Sequence, residues 1–157
     1  MAKIAIVTGA FKGGIGGGIS KVLAQDGFKV IMIARNKERL AKLEAELKGA
    51  GLDVESWPSD ITNRTGIRST ISDILSKYGQ IHVLVNNAGL MPFPSTLQDT
   101  DDNLWDDLVN TNLTGTFNIT KAVLPSMLDK KYGRIINISS VSARKTVGNF
   151  VAYAAAK

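Results

Sequence analysis

The chain of 157 residues is predicted to be α/β, a doubly wound parallel sheet with helices on both faces, three layers deep. Three observations predict it. Five short β-branched runs alternate with segments whose apolar residues recur at helical spacing. A glycine-rich turn joins the first run to the first helical segment. Small and amide-bearing residues follow the ends of the runs, where an open parallel sheet takes its ligand.

Hydrophobic residues at 44% and charged residues at 21% suit one buried core and argue against disorder, so a single domain over residues 1–157 is expected. The absence of cysteine excludes a disulfide framework, a thiolate metal site and a cysteine nucleophile. The net charge of +5 raises nucleic acid as a partner. However, Lys37, Arg39, Lys42 and Lys48 alternate with Glu38, Glu44 and Glu46 as on a solvated helix face, so no nucleic-acid partner is expected. His82 is the only histidine, and no metal site is expected. The apolar start breaks at Thr8-Gly9, too soon for a secretory leader, and no run of about eighteen apolar residues occurs. A cytoplasmic address with no membrane partner follows as an expectation.

Residues 3–7 read as a buried strand. The turn from Thr8-Gly9 through Lys12 and Gly13 to Gly14-Ile15-Gly16 feeds a helix whose apolar residues include Ile19, Val22 and Leu23, closing at Asp26-Gly27. Strand, glycine turn and helix start in that order make a phosphate cradle, because glycines admit the anion close to the backbone and free N–H groups face it. The plainer alternative is a flexible loop.

Residues 28–33 form a second strand. An acidic residue near its end would grip a ribose 2′-hydroxyl and repel a 2′-phosphate, but Ala34 stands there and Arg35 follows. The Arg35 guanidinium can pair with a phosphate through its planar fork, and Lys12 can add a second cation, unless both are merely surface charges.

Asn36 caps a helix to about residue 48 with Leu40, Leu43 and Leu47 inward, stopped by Gly49-Ala50-Gly51. Residues 54–57 are a third strand. Asp60, followed by Ile61, either accepts from an adenine amino group or caps its own turn. A third helix spans about residues 64–77, with Ile67, Ile71, Ile74 and Leu75 inward.

The fourth strand, residues 81–85, ends at Asn86-Asn87-Ala88-Gly89, small and amide residues that suit a ligand or a simple turn. After a loop holding Pro92 and Pro94, residues 99–102 open a long helix through Leu104, Trp105, Leu108, Asn112, Phe117, Val123 and Leu124. Pro125 should kink it or mark its last turns. Residues 134–138 are a fifth strand delivering Ser139 and Ser140, and the loop 142–149 leads to a final helix starting near residue 151. That helix carries Tyr153 and Lys157, one turn apart on one face. A proton donor, a cation able to lower its pKa and the Ser140 hydroxyl, able to hold a carbonyl oxygen, are then available together.

In this order and spacing, the Thr8-Gly9 to Gly14-Ile15-Gly16 turn, Asp60-Ile61, Asn86-Asn87-Ala88-Gly89, Asn112-Leu113-Thr114-Gly115, Ser140, Tyr153 and Lys157 resemble the short-chain dehydrogenase/reductase family. The similarity runs from Lys3 to Lys157 and is nearest the branch holding the 3-oxoacyl-carrier-protein reductases. It implies a Rossmann-type sheet lacking the family's C-terminal strands, and hydride transfer between NADP(H), favoured over NAD(H), and a small-molecule carbonyl or alcohol. The implied catalytic set is Asn112, Ser140, Tyr153 and Lys157. The implied cofactor set is Gly9, Lys12, Gly14, Ile15, Gly16, Arg35, Asp60, Ile61, Asn87, Ala88 and Gly89, with Tyr153 and Lys157 again. A homo-oligomer is implied for a full-length member.

Two departures stand out against the family. Four residues, not three, separate Thr8-Gly9 from the next glycine of the triplet; a longer turn that keeps Gly14-Ile15-Gly16 at the helix start is expected, the alternative being that Gly13 takes the second glycine's role and Ile15 replaces the third. Family members also continue past the lysine, so the chain reads as truncated, with an inactive nucleotide-binding fragment as the alternative function. An extended-branch sugar-nucleotide epimerase or dehydratase shares the Tyr and Lys spacing but usually has a different glycine turn.

Overall fold

The computed structural model describes residues 2–145 and 148–157, so part of the loop expected over 142–149 lies outside the described residues. Five parallel strands, β1 Ile4–Thr8, β2 Lys29–Ala34, β3 Val54–Pro58, β4 Val83–Asn86 and β5 Arg134–Asn137, form one sheet in the order β3-β2-β1-β4-β5. The order reverses between β1 and β4, which pair through Ala5↔Val83, Ile6↔Leu84 and Val7↔Val85. Their carboxyl ends therefore frame the crevice where a doubly wound sheet binds ligands.

Strand periodicity divides the core in two. Ile4 and Ile6 of β1 and Ile31 and Ile33 of β2 point to one face, where Ile67, Ile71 and Ile74 of helix α3 (Arg64–Tyr78) and Ile119, Val123 and Met127 of helix α5 (Thr116–Asp129) cover them. Ala5, Val7, Val30 and Met32 point to the other face, against Ala24 of helix α1 (Ile15–Gln25) and Leu40, Leu43 and Leu47 of helix α2 (Lys37–Gly49). The three leucines of α2 recur at helical spacing, and the Asn36 side chain accepts from Arg39 N–H at the start of the helix, as the sequence predicts. Asn63 caps α3 in the same way, and Gly79 closes it with φ 77°.

Two sequence expectations change. Val22 is 55% exposed, because α1 packs through Gly16, Gly17, Ser20 and Ala24 and the small residues bring the helix too near the sheet for a larger inward face. The long helix is not uniform either. It comprises α4 (Asp102–Leu108), a widened π-helical stretch Val109–Gly115, and α5, with Asn112 buried inside the wide part. Its apolar residues do not all turn inward: Trp105, Phe117 and Leu124 are exposed. Pro125 falls in the last turns of α5, as expected.

β5 is an edge strand with Ile136 exposed. The final helix, α6 (Val151–Ala156), is tied back by a parallel bridge between Ser95 and Phe150. No helix among the described residues is long and apolar enough to cross a membrane.

Candidate active site

Thr8, the last residue of β1, is the knot of the crevice. Its Oγ1 donates to Val85 O at 3.3 Å and accepts from Asn87 N at 3.0 Å and Ala88 N at 2.9 Å. The Asn87 amide answers with a donated bond to Thr8 O at 2.8 Å. Strand end and loop are thus locked side by side, a use of Asn87 that needs the fold to bring residues 79 apart into contact.

The glycine turn closes over this knot. Gly9 has φ 67°, and a Cβ there would lie 2.7 Å from Ala88 Cα. A Cβ on Gly16 would sit 2.7 Å from Gly9 O, so any side chain at either position would force the first turn of α1 off the loop. Helix α1 begins at Ile15 directly after Gly14, in line with the longer turn, and Gly13 takes up the additional residue with φ 78°.

A cleft of about 550 Å³ runs along the carboxyl edge of the sheet. It is lined by Gly13, Gly14 and Ile15 after β1, Arg35 after β2, Asp60 and Ile61 after β3, Asn87, Ala88 and Gly89 after β4, and Tyr153 and Lys157. Most of the residues singled out in the sequence thus meet on one wall. Phe11, Ser59, Met91, Thr111, Ile138 and Ser139 also line it and carry no motif. Thr111 is placed by the widened helical turn, which no local pattern marks, and Ile138 and Ser139 follow the end of β5.

Lys157 is half-buried, and burial pushes its ammonium below the ordinary lysine value of 10.5. Its Nζ donates to Ile138 O at 2.6 Å and stands 6.0 Å from the centre of the Tyr153 ring. Tyr153 in turn packs edge-on against Phe150 at 6.3 Å. A Cβ on Gly89 would crowd Asn112 Oδ1 at 3.1 Å and approach Lys157 Nζ at 3.6 Å, so the glycine lets loop, helix and ammonium converge.

Four of the named residues, Lys12, Gly16, Asn112 and Ser140, are absent from the cleft wall, whereas Asp60 lines it and takes one of the two parts expected of it. Lys12 Nζ pairs with Glu46 of α2 at 2.9 Å and so is absent from the cleft wall. Asn112 does not line the cleft; the residue is 6% exposed, with Oδ1 accepting from Leu90 N and Nδ2 donating to Leu90 O. Ser140 Oγ accepts from Ser142 N at 3.2 Å as the cap of the short 3₁₀ turn Val141–Ala143, and the adjacent Ser139 lines the cleft. Asp60 Oδ1 accepts from Thr62 N and Oγ1, which is the turn-capping alternative, while Oδ2 stands 3.9 Å from Arg35 Nη1.

His82 has a structural part. Its Nδ1 accepts from Ile4 N at 3.0 Å, and burial and then the nearby Lys3 charge lower its pKa, which keeps the acceptor lone pair free. Among the described residues no group of three or more His, Cys, Asp or Glu side chains is placed to hold a metal ion.

Residues 3–157 match the family model for short chain dehydrogenases. A Streptomyces violaceoruber protein, provisionally named ketoacyl reductase 1 of the granaticin polyketide synthase, is 42% identical over 98% of this chain and 57% of its own length. The 3-oxoacyl-[acyl-carrier-protein] reductase FabG of Staphylococcus aureus is 37% identical over 95% of this chain and 59% of its own. Among solved structures, an actinorhodin polyketide ketoreductase with NADPH superposes with a TM-score of 0.92 at 37% identity, over 99% of this chain and 59% of that one. The chain thus spans less than two thirds of the length of these relatives.

Proposed function

The chain belongs to that family, the short-chain dehydrogenases, and from this premise we propose that the protein is an oxidoreductase that moves a hydride between NADP(H) and a small-molecule carbonyl or secondary alcohol. The observation that carries the reading is one cleft lined both by a bare glycine turn and by the Tyr153–Lys157 pair.

The residues fit a dinucleotide. Gly9 and Gly16 keep side chains out where the turn must approach a diphosphate, and the start of α1 at Ile15 faces the cleft with free N–H groups. Arg35 suits a ribose 2′-phosphate, with Ala34 supplying no carboxylate to repel it. Asp60 and Ile61 would border the adenine, and Asn87, Ala88 and Gly89 the middle of the molecule. When bound, the nicotinamide ring supplies or accepts the hydride.

The chain's own residues handle the proton. Tyr153 is the proton donor on the cleft wall, and the Lys157 ammonium stands 6.0 Å from the centre of its ring. In reduction Tyr153 donates to the carbonyl oxygen, and Ser140 holds that oxygen while negative charge develops. Lys157 would also grip the nicotinamide ribose, and Asn112 would keep a relay water behind the lysine. For Ser140 this needs its hydroxyl to donate to substrate while still accepting from Ser142 N, which one Oγ can do.

Among similar structures one holds NADPH, one NADP and a xylitol dehydrogenase NAD+, so the choice of NADP(H) here rests on Arg35 and Ala34. Self-association finds support in the exposed apolar residues Leu113, Phe117, Leu124 and Leu128 on the long helix. The test is NADPH oxidation with a panel of ketones and 3-oxoacyl thioesters. Turnover of at least one is expected; tight NADPH binding without hydride transfer to any would favour a nucleotide-binding module instead.

A further inference from the structure

The cleft wall near Arg35 contains an aromatic residue that the glycine turn itself does not require. Phe11 lines the cleft with the tip of its ring against Gly14, where a Cβ would come within 2.6 Å of Cζ. Arg39 is not itself on the cleft wall, but its guanidinium lies over that ring, its Cζ 4.7 Å from the centroid. Arg39 stands in the first turn of α2, four residues beyond Arg35, and its backbone N–H is already taken by the Asn36 cap, so only its side chain is left to adjust. Among the described residues no carboxylate is paired with Arg39. Lys12, the other cation nearby, is held by Glu46.

We infer that Arg39, carried on the face of Phe11, is the second cation of the subsite for a ribose 2′-phosphate, beside Arg35 and in place of Lys12. The inference rests on the NADP(H) reading above. A guanidinium held over an aromatic face can still offer N–H groups at its edges, and it loses less freedom when a phosphate arrives there than an unsupported one. A phosphate monoester near neutral pH carries close to two negative charges and is held better by two forked donors than by one. Lys12 is turned away from the cleft, toward Glu46, and Phe11 of the same turn is the platform on the cleft side.

The experiment is calorimetric titration of the protein with adenosine 2′,5′-bisphosphate and with 5′-AMP, compared as an affinity ratio. Arg39→Gln is expected to lower bisphosphate affinity about fivefold to twentyfold with 5′-AMP changed less than about twofold. Arg39→Lys, which keeps the charge and loses the planar stack, falls between. Phe11→Leu lowers the ratio in the same direction, and Lys12→Gln leaves it within about twofold. An unchanged ratio in Arg39→Gln, or a fall in Lys12→Gln as large as in Arg39→Gln, overturns the inference. Failure of the NADP(H) reading looks different: the unsubstituted protein would bind both probes equally and Arg35→Gln would change neither. If Arg35→Gln lowers the ratio and Arg39→Gln does not, the cofactor reading stands and only the role of Arg39 falls.

Discussion

The Asn112 side chain and the Leu90 backbone hold each other at both ends, Oδ1 accepting from Leu90 N–H at 2.7 Å and Nδ2 donating to Leu90 C=O at 3.0 Å. The amide takes the place of a neighbouring strand's peptide edge and pins the loop after β4 to the widened helical stretch. Such widened turns are costly in regular helices and persist where a side chain must be re-aimed. Asn112→Ala leaves two buried or half-buried backbone groups without partners. It is expected to destabilise the protein by about 1–3 kcal/mol. Asn112→Asp keeps the acceptor alone and falls between. Urea unfolding midpoints check this, and an unchanged midpoint in Asn112→Ala would contradict it.

Tyr153→Phe removes the proposed proton donor and leaves the ring that packs against Phe150. Turnover of a carbonyl substrate should fall by about two to four orders of magnitude, the usual worth of a positioned acid. NADPH affinity should stay within a few-fold of the parent, read by nucleotide fluorescence. Near-normal turnover would remove Tyr153 from the acid role.

Two glycines of one helix should respond in opposite directions. Gly16→Ala drives a methyl group into Gly9 O and the Asn87 amide, and overpacking of this kind costs about 1–3 kcal/mol. Gly18, also within α1, has nothing within 4 Å of its would-be Cβ. Gly18→Ala should therefore stabilise by about 0.5–1 kcal/mol through helix propensity alone. Thermal melting of the two variants side by side decides the matter, and a loss of stability in both would show the space at Gly18 to be misjudged.

Acid should weaken the fold through the far edge of the sheet. Burial alone would raise the Glu55 carboxyl, but hydrogen bonds from Lys77 and Tyr78, the Lys77 charge and the Trp57 indole outweigh it and hold the pKa below 4.5. Because the folded state then binds fewer protons than the unfolded chain, this contribution is fully present above pH 4.5 and is lost as pH falls through the lower folded value. Glu44, beside Lys48 and Ser56, acts in the same sense. Unfolding curves from pH 7 down to about pH 3 should show Glu55→Gln losing less stability than the parent on the acid side. Parallel pH profiles would refute the assignment.

Much of this was legible in the residues themselves. Alternation of β-branched strands with leucine- and isoleucine-spaced helices dictates the two-faced sheet, because each element has one apolar side to bury and the periods of two and 3.6 admit one pairing of faces. Asn36 and Asn63 announce their helices, and Gly14-Ile15-Gly16 announces the turn, since these are local effects settled within a few residues. What residues far apart do to one another was decided only by the tertiary structure. Lys12 is a free cation in sequence until α2 brings Glu46 to it, and Asn112 is a motif residue on a helix until the fold brings the Leu90 backbone to its amide. Arg39 reads as one more solvated charge until the fold lays Phe11 beneath it. Local propensity writes the elements, whereas the aim of a charged or amide side chain depends on partners that only the folded sheet assembles.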